Sequence, residues 1–168
     1  AVDLTDSICL STGLDIALDA AGDIALDGIV TMDTLDLQAG NAVVMAPGSG
    51  YFVNGPVNLQ AGAGVQVAEI RSESNAPDAI VIDAGTDISS ADPDNLFPNL
   101  AAPSGGAVLT AAGDVGNPDE PLTTAVARLA FNSDGGDVAI ANDNEGAALT
   151  LDAGPLETTL GTTGGGAT

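Results

Sequence analysis

The sequence predicts an all-β protein in which parallel strands wind as successive coils around one axis, a parallel β-helix. Two observations predict this fold. A six-residue phrase recurs along the chain, and apolar residues alternate with other residues inside each copy. Alternation with a period of two is typical of strands, and a repeat of roughly 20 residues is typical of solenoids. A helical repeat would instead need apolar residues spaced three and four apart.

The phrase consists of an aliphatic residue, any residue, a second aliphatic residue, Gln or Asp, Ala and Gly. Its four complete copies are Leu35–Gly40, Val57–Gly62, Ile80–Gly85 and Leu149–Gly154. Looser copies end at Gly22, Gly113 and Gly136, so the final glycines are 18, 22, 23, 28, 23 and 18 residues apart. This spacing predicts about seven coils of ~20 residues. Since stacked strands lie about 4.8 Å apart, the coils would form a rod about 30 to 35 Å long.

We expect the glycine of each phrase to stand at a tight corner, where a side chain would collide with the neighbouring coil. Between the phrases lie further short alternating runs, so each coil offers two or three strands. These runs are Asp23–Leu26, Ile29–Met32, Ala42–Met45, Val65–Ile70, Val126–Phe131 and Asp137–Ala141.

Three stretches lack the alternation and are predicted to be loop insertions. They are Ala46–Gly55, Ser72–Pro77 and Asp92–Gly106. The last stretch accounts for the longest interval between glycines. We therefore predict one β-helix domain over residues 1–160, and a tail or linker, rich in Gly and Thr, over residues 161–168.

The composition fits a small folded domain with a closely packed aliphatic core. Of the 168 residues, 45% are hydrophobic and only 2% are aromatic, so Ala, Val, Leu and Ile must fill the interior. The single cysteine, Cys9, has no partner for an internal disulfide and is expected to be a small buried apolar residue.

The charge of the chain excludes several classes of function. Asp and Glu number 24, the only cations are Arg71 and Arg128, and His is absent, which gives a net charge of −22. Catalysis that needs His is excluded within this chain, and nucleic-acid binding has almost no cation to use. No apolar run approaches the ~20 residues of a membrane span. We expect Arg71 to pair with Glu69 or Glu73, and Arg128 to point outward.

The region from Ala111 to Leu151 carries a recognisable series of motifs. A Gly-Asp-Val-Gly-Asn-Pro turn spans Gly113–Pro118, and a Pro-Leu-Thr-Thr strand entry follows at Pro121–Thr124. The strands Gly136–Asn142 and Ala148–Leu151 complete the series. This stretch resembles a recurring unit of the filamentous-haemagglutinin-type and autotransporter-adhesin secreted proteins. The resemblance implies a right-handed parallel β-helix that acts as an extracellular stalk, adhesin or fibre, and it brings no catalytic residues.

Acidic turns are the candidate binding sites. Calcium takes about six to eight oxygen ligands, and stacked turns can bring carboxylates of neighbouring coils together. The residues predicted to hold calcium are Asp114, Asn117, Asp119, Glu120, Asp134 and Asp152, the last two in one column of adjacent coils. Two further acidic clusters in the sequence are Asn142–Glu145 and Asp92–Asn95. No cofactor other than calcium is expected.

These observations favour an extracellular or cell-surface structural protein without enzymatic activity. We expect a β-helical fibre subunit, or a stalk or adhesin segment, that assembles by end-to-end stacking with Val2–Leu10 and Leu149–Leu160 at the contact. Its partners would be further copies of the chain, and a surface glycan or cell-surface receptor. Two alternatives are a polysaccharide-processing β-helix enzyme and a calcium-stabilised carbohydrate-binding module.

Overall fold

The computed structural model describes residues 2–4, 13–92, 94, 96–144 and 148–151. Regular structure in these residues consists of sixteen strands, all paired in parallel. The strands are β1 (Val2–Leu4), β2 (Asp15–Ala20), β3 (Ile24–Leu26), β4 (Ile29–Met32), β5 (Thr34–Ala39), β6 (Val43–Met45), β7 (Gly50–Val53), β8 (Val57–Ala61), β9 (Val65–Val67), β10 (Glu69–Ser72), β11 (Ile80–Ala84), β12 (Ile88–Ser90), β13 (Leu100–Ala111), β14 (Leu122–Ser133), β15 (Ile140–Asn142) and β16 (Thr150–Leu151).

The strands stack in three columns, which we call faces A, B and C. Face A contains β1, β3, β6, β9 and β12. Face B contains β4, β7, β10, the first parts of β13 and β14, and β15. Face C contains β2, β5, β8, β11, the last parts of β13 and β14, and β16. The chain visits the faces in the order A, B, C, which confirms the predicted parallel β-helix, with about six turns.

Three of the four complete sequence phrases stack in register on face C, as predicted. The fourth, Leu149–Gly154, is displaced by two residues, because its third residue, Leu151, lies in the column of Ile80, the first residue of its phrase. Leu35 pairs with Val57, and Val57 pairs with Ile80. At the corner that follows, a Cβ on Gly62 would collide with the carbonyl oxygen of Gly40 in the preceding turn. The repeated glycine is therefore required because the backbones of neighbouring turns approach too closely for a side chain.

The first corner departs from the prediction by one residue. Ala20 pairs with Ala39, so Ala21 rather than Gly22 stands opposite Gly40. A Cβ on Gly40 would collide with the carbonyl oxygen of Ala21. No earlier corner precedes Ala21 among the residues described, so a methyl group is accommodated there.

Two of the predicted loops are shorter than expected. Gly50–Val53, inside the predicted loop 46–55, forms β7, and β13 begins at Leu100, inside the predicted loop 92–106. The sequence did not predict β7 because it begins with Gly and Tyr. It did not predict the start of β13 because that stretch is a run of small residues without alternation. The third loop, which follows Ser72, is confirmed. Loops leave at both corners that flank face B, whereas the glycine corner between faces C and A stays short.

One buried amide connects three successive turns. The Asn99 side chain is 1% exposed. Its Nδ2 donates to the carbonyl oxygen of Ala68 at 2.8 Å and to Oγ of Ser90 at 3.0 Å. Its Oδ1 accepts from the backbone N–H of Thr123 at 3.0 Å and from the Thr123 hydroxyl at 2.9 Å. Each polar atom of the amide is thereby satisfied inside the fold.

Asn99→Ala is expected to lower the free energy of unfolding by about 3 kcal/mol, because buried donors and acceptors on two neighbouring turns lose their partners. Urea unfolding at neutral pH measures the change. The control is Asn58→Ala, which removes an exposed amide with one hydrogen bond to Asp36 at 2.9 Å and should cost about 1 kcal/mol or less. Equal losses in both variants would contradict the role assigned to Asn99.

Tyr51 is the only tyrosine in a chain without tryptophan, and it is buried in the core of face B. Burial, and secondarily the charge of Asp27, raise its pKa to about 12. An unfolded tyrosine has a pKa of about 10. The unfolded state therefore ionises first, and stability is lost as pH rises from about 10 towards 12.

The ultraviolet absorbance of tyrosinate should report a midpoint of about 12 for the folded protein. The same chain in urea should titrate near pH 10, the ordinary value. Circular dichroism recorded along the titration separates ionisation in the folded state from unfolding. A midpoint near 10 with the β-signal intact would show that Tyr51 is accessible to water.

Candidate functional site

Of the predicted calcium residues on the loop before β14, Asn117 has a structural role. Asn117, Asp119 and Glu120 are exposed on the loop that leads from Val115 on face A to face B. Oδ1 of Asn117 accepts hydrogen bonds from the backbone N–H groups of Asp119 and Glu120, both at 2.9 Å. The Asn117 oxygen thus shapes an Asx turn.

Asp114 belongs to a column of acids at the corner between faces C and A. Oδ1 of Asp87 accepts from the backbone N–H of Asp114 at 2.8 Å, and Oδ1 of Asp114 accepts from that of Asp137 at 2.7 Å. Hydrogen bonds to a carboxylate are stronger than those between neutral groups. Sequence analysis missed this column, although each of the three acids directly precedes an aliphatic residue of face A.

The remaining predicted calcium residues are not brought together with these. Asp134 is exposed at the following corner, where its backbone N–H donates to the carbonyl oxygen of Ala111 at 2.9 Å, and Asp152 lies outside the described residues. Within the described ranges, no group of three or more Cys, Asp or Glu side chains could hold a metal ion. Calcium binding stays a prediction.

One of the other acidic clusters, Asn142–Glu145, also includes a side chain that the fold uses. Oδ1 of Asn142 accepts from the Thr124 hydroxyl at 2.8 Å and from the backbone N–H of Val126 at 3.0 Å. Glu145 and Asn95 lie outside the described residues. Asn142 therefore satisfies polar groups inside the last turns of face B.

The ion pair predicted for Arg71 is confirmed. Its Nε lies 2.8 Å from Oε1 of Glu73 on the outer side of face B. Phe52 stands beside Arg71 in the preceding turn. Glu69, on the same strand, is partly buried, and this burial raises the pKa of its carboxyl, an effect that the nearby Arg71 reduces. Arg128 is exposed on face C, as predicted, and has no ion-pair partner among the residues described.

The inward columns of face C are open at both ends of the coil. In one column, every member between the first and the last is buried, and the most exposed of them, Leu129, is only 3% exposed. The first member is only partly buried, and the last, Leu151, is 44% exposed. The column consists of Ile16, Leu35, Val57, Ile80, Ala107, Leu129 and Leu151.

The described backbone edges at the two ends are also unpaired. Among the described strands, β2 pairs only with β5, and β16 pairs only with β14. Among the residues described, each end thus combines N–H and C=O groups that no other strand pairs with and apolar side chains that no further turn covers. These are the two properties of an edge that pairs with another strand. Of the contact segments predicted from the sequence, residues 5–10 and 152–160 lie outside the described residues.

Comparison with known proteins leaves the family open. No protein-family model, no curated protein and no solved structure matches the chain. In the described part of the chain, no helix is long and apolar enough to cross a membrane. The parallel β-helix is thus established by the structure, and the resemblance to secreted adhesins stays an interpretation of the sequence motifs.

Asp114→Ala is expected to lower the free energy of unfolding by about 1 kcal/mol, because the backbone N–H of Asp137 loses its acceptor. Melting measured in calcium and in chelator tests the calcium prediction at the same time. If Asp114 acts only as a hydrogen-bond acceptor, the loss is the same in both solutions. A loss confined to the calcium solution, with heat of calcium binding in calorimetry of the unmodified chain, would make Asp114 a metal ligand. Asp83→Ala, at an exposed acid of face C outside the predicted calcium set, is the control.

Proposed function

We propose that this chain is a non-enzymatic extracellular structural protein, a β-helical fibre subunit or a stalk or adhesin segment whose coils stack end to end. The observation that carries the proposal is the inward column of face C, buried along the coil and open at both ends. Exposed apolar side chains and unpaired strand edges at the ends of a solenoid favour association unless they are capped.

The charge distribution supports growth along the axis rather than sideways association. The chain has a net charge of −22, and most of the acids in the described residues are exposed along the faces and corners. Acidic sides of two parallel rods repel over a distance of about 8 Å in physiological salt. End-to-end pairing uses backbone hydrogen bonds and apolar contacts, so this repulsion opposes it less than it opposes side-by-side association. The same acidity, with few cations, is the reason to place the protein outside the cell.

A second candidate function is binding or processing of a polysaccharide on face B. The observation that favours it is the group formed by Phe52, Glu69 and Arg71, in which a partly buried carboxyl of raised pKa lies near a cation and an aromatic ring. Aromatic rings and charged side chains together suit a sugar ligand. Release of sugar fragments that is lost in Glu69→Gln, with stacking unchanged, would favour this candidate.

End-to-end stacking predicts that the mass of the purified chain rises with concentration. Sedimentation velocity and electron microscopy should show rods of constant width that lengthen. Leu151→Asp should suppress the lengthening, because a charge enters the apolar contact. Val44→Asp, which adds the same charge at a half-exposed position on the outer side of face A, should leave it unchanged.

Monomers alone at high concentration, in low and high salt, would refute the proposal. Circular dichroism melting of both variants confirms that each remains folded. A shorter rod in both variants would assign the effect to charge rather than to the end of the coil.

A further inference from the structure

We propose that the copies stack head to tail in one fixed register, in which Thr150 and Leu151 of one copy pair with Asp15 and Ile16 of the next. This inference rests on the proposed function and adds to it the orientation and alignment of the two ends. The occupant of each open edge is a second copy of this chain.

The faces of the two open edges agree with this arrangement. β2 is the first strand of face C and β16 is the last strand described there. A second copy placed on the same axis therefore brings the free edge of β16 against the free edge of β2. Both strands run in the same direction, so the contact extends the parallel pairing that the solenoid already uses.

The register follows from the columns inside one copy. On face C, Arg128 pairs with Thr150 and Leu129 with Leu151 at one end. At the other end, Asp15 pairs with Thr34 and Ile16 with Leu35. Ile16, Leu35, Leu129 and Leu151 belong to one inward column, so the next turn of that column continues from Leu151 to Ile16. A shift by one residue would turn Asp15 towards the core and expose Ile16, which the hydrophobic pattern forbids.

The polar partners at this contact repeat a pairing already present in the chain. The Thr34 hydroxyl donates to Oδ1 of Asp15 at 2.7 Å from the turn on one side. In the proposed register, the Thr150 hydroxyl reaches the same carboxylate from the other side. A carboxylate accepts at both oxygens, so the two hydroxyl groups do not compete.

Charge favours head-to-tail over head-to-head stacking. Asp15 and Asp19 are exposed on the edge strand β2, and a two-fold head-to-head contact would place the acids of two copies together. At the opposite end, Arg128 lies one strand inside Thr150, about 10 Å along the axis from the next copy's β2. This exposed cation is within reach of the incoming acids, so the two ends are complementary.

Disulfide trapping tests the register. In a background of Cys9→Ser, a chain carrying Asp15→Cys is mixed with a chain carrying Thr150→Cys under mild oxidation. Parallel neighbours lie about 4.8 Å apart, within the range a disulfide spans. The expected product is the mixed disulfide, identified by mass spectrometry of the linked peptides. The shifted pair, Ala17→Cys with Thr150→Cys, would be about 8 Å apart and should react far less.

The outcomes separate this inference from the proposed function. If the rods lengthen but Asp15→Cys chains link mainly to one another, the stacking is head to head. The head-to-tail inference then fails, while the proposed function stands. Equal trapping of the shifted pair overturns the register. If none of the chains forms rods that lengthen with concentration, the proposed function itself fails.

A second measurement does not depend on new cysteines. Arg128→Gln should raise the concentration needed for half-maximal assembly by about threefold, because the cation facing the incoming acids is lost. Arg71→Gln changes the net charge equally but lies mid-coil on face B, and it should leave that concentration unchanged. The same change in both variants would overturn the role of Arg128 at the contact.

Discussion

The structure depends on one constraint, the alignment of equivalent residues directly above one another from turn to turn. Inward aliphatic side chains pack in columns, and each backbone strand completes the hydrogen bonds of the strand before it. The corner glycines follow from this alignment, since the backbones of Gly40, Gly62 and Gly85 approach too closely for a Cβ. Loops then leave at the two corners that flank face B.

The same alignment explains how so acidic a chain folds. Stacked carboxylates would repel, but in the first turns four acids each accept a hydrogen bond from an amide or hydroxyl group of the next turn. The pairs are Asp15 with Thr34, Asp23 with Asn41, Asp33 with Asn54, and Asp36 with Asn58. In the later turns Asp87 and Asp114 accept from backbone N–H groups instead. Neutral hydrogen-bond donors thus take the place of cations as the partners of these carboxylates.

A solenoid protects its interior only where another turn covers it. Along this coil the columns of face C are closed by their own neighbours, whereas no described turn covers the partly buried Ile16 at one end or the exposed Leu151 at the other. Exposed acids lie on β2 at one end, and Thr150 pairs with the exposed Arg128 at the other. This combination, rather than any pocket or metal centre, is the feature of the described structure that points to a function.

The sequence by itself determined the solenoid and the register of the central turns of face C, because a phrase repeated at Leu35, Val57 and Ile80 places like residues on like positions. It did not determine the register of the last copy, where Leu151 instead of Leu149 lies in the column of Ile80. It missed β7 and the start of β13, where Gly50 and the small residues after Leu100 hide the alternation. Only the tertiary structure decided that Asn99 joins Ala68 to Thr123, that Asn117 and Asp114 serve the backbone, and that Ile16 and Leu151 are uncovered. These features depend on residues of different turns, whose contacts are set by the loops between them and not by local pattern.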